Sequence, residues 1–219
     1  MGRRDDAPAT VRGQWLVMAP EPEPPDPVTL SVAAYSEQAA EYEATHAAKM
    51  LDRVERFAAL LDPPSLILDA GCGPGRDLAR FVSLGHDPRG VELNPEFAAK
   101  AATYAPTWHA DLRELTALFP PELFDGIWAC ASLVHLAKPD AANVLRQFAV
   151  LLRDGGRLYA CVNTVGETGW LDEPDGRRWY QIWEDGAFAE AVEDAGFRVD
   201  QVDRGPFVEV WATRSTGAR

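Results

Sequence analysis

From residue 65 onward, short apolar runs alternate with segments in which apolar residues recur every three to four positions. The first pattern has the length of a buried strand and the second the period of a helix. SLILDA (65–70), RGVEL (89–93), PTWHA (106–110), LFDGIWAC (123–130), GRLYACVN (156–163), FRVDQV (197–202) and PFVEVWAT (206–213) read as strands. Residues 75–84 read as a helix with Leu78, Phe81 and Val82 inward and Gly85 as its stop. Further helices are predicted at 95–104, 112–118, 140–152 and 187–195, the last ended by Gly196. Ahead of the first strand, residues 31–61 also read as helix. Tyr35, Ala39, Tyr42 and His46 fall on one face, Val54, Phe57, Leu60 and Leu61 continue the period, and Asp62-Pro63-Pro64 ends it.

Strands separated by helices predict an α/β fold, a mostly parallel sheet covered on both faces. The last two strands are joined only by Asp203-Arg204-Gly205, which predicts an antiparallel C-terminal hairpin. Residues 1–30, with Pro20, Pro22, Pro24, Pro25 and Pro27 among acidic residues, read as an extended tail. The expected organisation is therefore a tail (1–30), N-terminal helices (31–62) and a core (63–219). In an open sheet of this kind, ligands bind at the carboxyl ends of the strands, where the strand order reverses.

Composition narrows the functions. The net charge of −13 disfavours a nucleic-acid partner, which needs a basic surface. No run of about 18 apolar residues could span a membrane, and Trp15 to Ala19 is too short for a secretory core. A cytoplasmic location is the expectation. Cys72, Cys130 and Cys161 are odd in number and without metal-like spacing; each sits in an apolar run, as a small buried hydrophobe would. No metal site is predicted.

The first strand ends in Asp69-Ala70-Gly71-Cys72-Gly73-Pro74-Gly75, a glycine loop opening directly into a helix. That context gives the glycines meaning. The spacing is Gly-x-Gly-x-Gly, and Asp69 would repel a pyrophosphate; both features argue against a nicotinamide cofactor and for a ligand with a cationic group. Glu92 ends the second strand, where a carboxylate can accept from ribose hydroxyls. Asp111, after the third strand, could accept from an adenine amino group while Leu112 packs on the ring; alternatively it caps the helix that starts there.

As a set, LDAGCGPG (68–75), GVELNPE (90–96), ADL (110–112), FDGIWACASLVHL (124–136) and LLRDGGRLYACV (151–162) resemble the class I S-adenosylmethionine-dependent methyltransferases. The resemblance covers roughly residues 31–213. It implies a Rossmann-like sheet of seven strands, S-adenosyl-L-methionine as cofactor and a small-molecule methyl acceptor. It implies that Gly71, Cys72, Gly73, Gly75 and Arg76 cradle the methionine part. Glu92 and Leu93 would hold the ribose, and Asp111 and Leu112 the adenine. Cys130 would lie on the cofactor's path, and Tyr35 and Tyr42 would close over it.

Methyl transfer from a sulfonium mainly requires orientation, and a general base only for a protonated acceptor. His135, just past the strand 123–130, is the candidate base; Asn163 could position an acceptor. Residues 164–183 are too long and aromatic for a connector. They read as a lid in which Trp170, Trp179, Tyr180 and Trp183 cover an acceptor and Arg177 or Arg178 holds its carboxylate. Two other readings stay open: a module that binds the cofactor without catalysis and, less consistent with the loop, an NAD(P)-dependent reductase.

Overall fold

The computed structural model describes residues 26–36, 50–173, 176–205 and 207–215. Its elements in chain order are α1 (Pro27–Ser36), α2 (Leu51–Ala58), β1 (Leu66–Ala70), α3 (Arg76–Ser83), β2 (Asp87–Glu92), α4 (Pro95–Ala101) and β3 (Thr107–His109). There follow α5 (Leu115–Leu118), β4 (Phe124–Cys130), α6 (Lys138–Leu151), β5 (Leu152–Asn163), β6 (Gly169–Glu173), β7 (Gly176–Tyr180), α7 (Ala187–Asp194), β8 (Phe197–Arg204) and β9 (Phe207–Arg214). Single 3-10 turns at Leu112–Glu114 and Leu133–His135 precede α5 and α6.

The main sheet has seven strands in the order β3-β2-β1-β4-β5-β9-β8. The pairs from β3 to β5 are parallel, and β9 runs antiparallel to both β5 and β8. This is the Rossmann-like architecture expected. Successive residues of the central strands face opposite layers. Ile67, Trp128, Tyr159 and Cys161 point to one layer, where Val54 and Phe57 of α2 and Phe81 of α3 meet them. Leu68, Ile127, Leu158 and Ala160 point to the other, beneath α6 and α7. In the first layer Trp128 stacks on Tyr159 with ring centroids 4.1 Å apart, and Trp211 meets Tyr159 edge-on.

Two departures have local causes. The predicted tail ends too late: Pro27 to Leu30 begin α1, with the Asp26 side chain accepting from the Val28 amide. Proline suits a first helical turn because its missing N–H would find no partner there, so a proline-rich composition concealed a helix start. The segment 164–183 contains a separate two-stranded hairpin, β6–β7, which its mixture of aromatic and charged residues did not signal. Ala39, Tyr42 and His46, from the predicted helix 31–61, lie outside the described residues, as do residues 1–25. Among the described residues no helix is long and apolar enough to cross a membrane.

Trp128 is fully buried, touches Phe57, Phe81 and Tyr159, and donates its Nε1–H to Asp77 at 2.9 Å. Trp128→Ala should therefore cost about 3–5 kcal/mol, the range for deleting a large buried aromatic. Denaturant titration followed by circular dichroism checks this; a loss under about 1 kcal/mol would mean that the layer repacks freely.

Candidate active site

β1 delivers the glycine loop to the sheet edge. The amides of Gly71 and Cys72 both donate to the Val91 carbonyl, at 2.8 and 3.1 Å, which pins the loop to β2. Gly71 has φ of 77°, and a Cβ there would lie 2.4 Å from Cβ of Ser132. A Cβ on Gly75, at φ 94°, would lie 2.8 Å from Cα of Ala101 in α4. Only glycine meets both demands of conformation and space. The Cys72 side chain packs in a small cluster with Leu78, Ala101 and Ala105, and its Sγ–H reaches the Gly73 carbonyl at 3.6 Å.

Glu92 closes the other side. Its Oε2 accepts from the Gly73 amide at 2.9 Å and its Oε1 from the Asn94 amide at 2.7 Å. The carboxylate is thereby fixed, and each oxygen keeps a lone pair for a further donor. Burial pushes its pKa up, against the pull of these amides. Asp69 is 2% exposed, and its Oδ2 has no hydrogen-bond partner among the described residues. Burial, with Asp77 beside it, pushes its carboxyl well above the ordinary range. It sits behind the loop and off the cavity wall. A buried, unpartnered acceptor of this kind fits a cationic ligand group arriving at the loop.

Asp111 realises the capping reading. Its Oδ1 accepts from the Arg113 amide at 2.8 Å, and both oxygens hold the Arg113 side chain, which also pairs with Asp26 at the start of α1. Asp111 and Leu112 nevertheless line the cavity that Gly71, Gly73, Glu92 and Leu93 enclose, of about 110 Å³. Val28, Val32 and Tyr35 of α1 and Phe97 of α4 complete it. Sequence reasoning missed Val28 because the predicted helix begins at residue 31; Val32 lies inside the predicted helix but carries no signal of a site.

A larger cavity of about 510 Å³ lies alongside, walled by Arg76, Asn163, Glu173, Arg178 and Tyr180 among others. The two cavities share Tyr35, Cys130 and Ala131. Arg76 is held bidentately by Asp77, at 2.6 and 2.8 Å, which gives its charge a partner.

His135 is 7% exposed, and both ring nitrogens are engaged. Nδ1 lies 2.6 Å from the Trp179 carbonyl, so it carries the proton. Nε2 then accepts from the Tyr35 hydroxyl at 2.9 Å. Burial, with Arg178 nearby, lowers its pKa to about 4. His135 thus joins α1, β7 and the turn after β4 as a strut at the wall of the smaller cavity, with the lone pair that a base would use engaged by Tyr35.

The hairpin decides between the two arginines. Along β7 alternate side chains face opposite ways. Arg178 and Tyr180 face the cavity with Leu171 and Glu173 of β6, while Arg177, Trp170 and Trp179 do not line it. Arg178 is 3% exposed, lies 4.1 Å over the Tyr35 ring and pairs with Glu173 at 3.3 Å. Arg177 lies outside, 5.6 Å over Trp170, itself 38% exposed. Trp183 is a core residue packed edge-on against Phe188. Of the expected lid aromatics, only Tyr180 reaches the cavity. The alternation was not available without knowing that the segment pairs as strands.

The strut has a pH consequence. An unfolded His135 titrates near 6.5 and the folded one near 4. Its neutral form is the native one, so its contribution is complete above about pH 6.5 and is lost as pH falls toward 4. His135→Asn should flatten the dependence of unfolding free energy over that interval; an unchanged slope would remove His135 as its source.

Residues 41–202 match the family model described as a methyltransferase domain. Over 102 residues, 42% of this chain and 36% of the relative, the sequence is 35% identical to a 27-O-demethylrifamycin SV methyltransferase of Amycolatopsis mediterranei. Over 150 residues, 68% of this chain and 53% of the relative, it is 31% identical to a trans-aconitate 2-methyltransferase of Methylobacterium radiotolerans. The chain thus spans about half or less of the length of these curated relatives. A crystal structure of 1,6-didemethyltoxoflavin-N1-methyltransferase from Burkholderia thailandensis, with S-adenosylhomocysteine bound, superposes with a TM-score of 0.67 at 24% identity, covering 84% of this chain and 88% of that one. With the matched domain covering most of the chain, the glycine loop held by Glu92 and the seven-stranded sheet, the chain belongs to the S-adenosylmethionine-dependent methyltransferase family.

Proposed function

We propose that the chain methylates a small-molecule acceptor bearing an anionic group, drawing the methyl from S-adenosylmethionine. The observation that carries this reading is the meeting of two cavities at Tyr35, Cys130 and Ala131. Glu92 and the glycine loop line one, and a buried arginine lines the other. When bound, the cofactor supplies an activated methyl on a sulfonium, which an acceptor lone pair displaces in line.

The chain's own residues do the rest. Glu92, held by the two amides, would take the ribose hydroxyls, and Leu93 and Leu112 the faces of the nucleoside. Asp111 lies where the adenine would fall, although its carboxylate also serves Arg113. Asp69, unpartnered, favours a cationic group at the loop. On the acceptor side Arg178 would seat a carboxylate, with Tyr180 and Asn163 as further polar contacts. Holding both partners in line supplies about 7–11 kcal/mol of barrier reduction. His135, with both ring nitrogens engaged, would not serve as a base without giving up a partner, and the reading therefore favours an acceptor that arrives deprotonated. One relative is named for trans-aconitate, a polycarboxylate.

Calorimetric titration with S-adenosylhomocysteine and with NADH tests the cofactor reading. Binding of NADH alone would sink it. Binding of S-adenosylhomocysteine without turnover on any acceptor would favour a non-catalytic module.

Glu92→Ala should weaken S-adenosylhomocysteine binding by about 1–3 kcal/mol, as expected when charged hydrogen bonds are lost, and should also lower stability by about 1–3 kcal/mol because the Gly73 and Asn94 amides lose their acceptor. Asp69 and Glu92 both titrate above their ordinary ranges in the free chain. A cation at the loop favours their ionised forms, so binding should release protons, and affinity should fall as pH is lowered through the range in which the two carboxyls titrate. Calorimetry in two buffers of different ionisation enthalpy reads that release; its absence removes the linkage.

Arg178→Gln should raise KM for a carboxylate acceptor by about 10–100-fold, the cost of about 1.5–3 kcal/mol for a charged hydrogen bond. Arg177→Gln should leave it unchanged. Equal effects of the two substitutions would show that the hairpin faces are misassigned.

A further inference from the structure

Two thiols meet where the cavities join. Cys130 ends β4 and Cys161 lies in β5, and the two are direct partners in the parallel register. In-register residues on adjacent strands project to the same face of the sheet. Cys130 is half-buried and lines both cavities; Cys161 lines the larger one. Both cysteines belong to the aromatic layer around Trp128 and Tyr159. The Ala131 amide donates to Sγ of Cys161 at 3.1 Å, from a residue whose φ is 53° although it is not glycine. A backbone held in that region is a local strain, and here it aims an N–H at sulfur. Cys72, the third cysteine, is packed in its own cluster away from both.

We propose that Cys130 and Cys161 form a thiol-modification site at the junction of the two cavities, closing to a disulfide by exchange with a small-molecule disulfide. The steps balance. The Cys130 thiolate attacks one sulfur of the reagent RSSR, forming a mixed disulfide and releasing RS⁻. The Cys161 thiolate then attacks Sγ of Cys130, the Cys130–SR bond breaks, and a second RS⁻ leaves. Two thiols are oxidised, one RSSR is reduced to two RSH, and the two thiol protons pass to the departing thiolates. Division of labour follows from position. Cys130 is the thiol that the cavities expose. The Ala131 amide aimed at Sγ of Cys161 favours its thiolate as the resolving group, while the neighbouring Cys161 and burial push the Cys130 thiol up, so the first attack quickens as pH is raised. Adjacent strands hold Cα atoms within the span a disulfide requires.

The test treats the full chain with hydroxyethyl disulfide, a probe small enough for the larger cavity, and maps products by peptide mass spectrometry. The expected course is a transient adduct on Cys130 followed by a Cys130–Cys161 disulfide, reversed by dithiothreitol, with Cys72 still reduced. Cys161→Ser should trap the Cys130 adduct, and Cys130→Ser should leave Cys161 unmodified. Should the Cys161 variant fail to fold, the time course of the unsubstituted chain decides alone. A lasting adduct without closure, or modification of Cys72 first, overturns the proposal.

A second arm rests on the cofactor reading. S-adenosylhomocysteine at about ten times its Kd should slow the reaction roughly tenfold, since only about a tenth of the sites stay free. Calorimetry on the same sample separates the failures. Binding without protection removes Cys130 from the cofactor wall and overturns the junction site. Absence of binding counts against the cofactor reading, while disulfide closure still reports on the dithiol.

Discussion

Between β1 and β4 the strand order reverses, so the connections leaving these neighbours diverge to opposite sides of the sheet. The gap left between them cannot be filled by either crossover helix. Every candidate contact depends on that gap. The Gly71–Gly75 loop descends into it from β1, and Ala131 to His135 border it from β4. Gly71 is required because Ser132, on the β4 side, closes to within contact of the β1 loop. The site is a consequence of sheet topology first, and of residue chemistry second.

The gap is roofed by α1 and the β6–β7 hairpin, which are bound more to each other than to the sheet. Ser31 accepts from the Trp179 amide at 2.8 Å, and Arg178 covers the Tyr35 ring. His135 ties both to the turn after β4. Its buried position would be unfavourable for a charged imidazole, but the neutral ring satisfies one donor and one acceptor at once. At the far end Asp26 and Asp111 hold Arg113 between them. These bonds fix where the roof sits, while the apolar contacts of Val28 and Val32 supply the burial that favours it.

The sheet and the glycine-loop side of the smaller cavity were legible in the sequence because they rest on local signals. Apolar runs of strand length gave all seven strands of the main sheet, and glycines between a strand and a helix located the loop. Glu92 was readable as a strand-end acid. The acceptor side was not legible to the same degree. Arg177 and Arg178 are chemically equivalent neighbours, and only pairing with β6 places one inside and the other outside. Trp183 has the composition of a lid residue, but its contact with Phe188 is set by where α7 returns. His135 looked like a base because histidines at sheet edges can serve as one; its partners Tyr35 and Trp179 lie 100 and 44 residues away. Asp111 had two readings from sequence, and Arg113 realises the capping one.

Tyr35 is the residue that makes the two cavities one site. It walls both, its hydroxyl is fixed by His135, and its ring supports Arg178. A guanidinium buried to this degree needs partners, and here the Tyr35 ring and Glu173 share the task. Displacing α1 would therefore take a wall from the cofactor side and a support from the acceptor side in the same movement. On the proposed reading, an acceptor anion at Arg178 would find its full setting only while α1 is seated over the smaller cavity. Recognition of the acceptor would then be coupled to the cofactor side through one aromatic ring, with water excluded from both sides of the junction together.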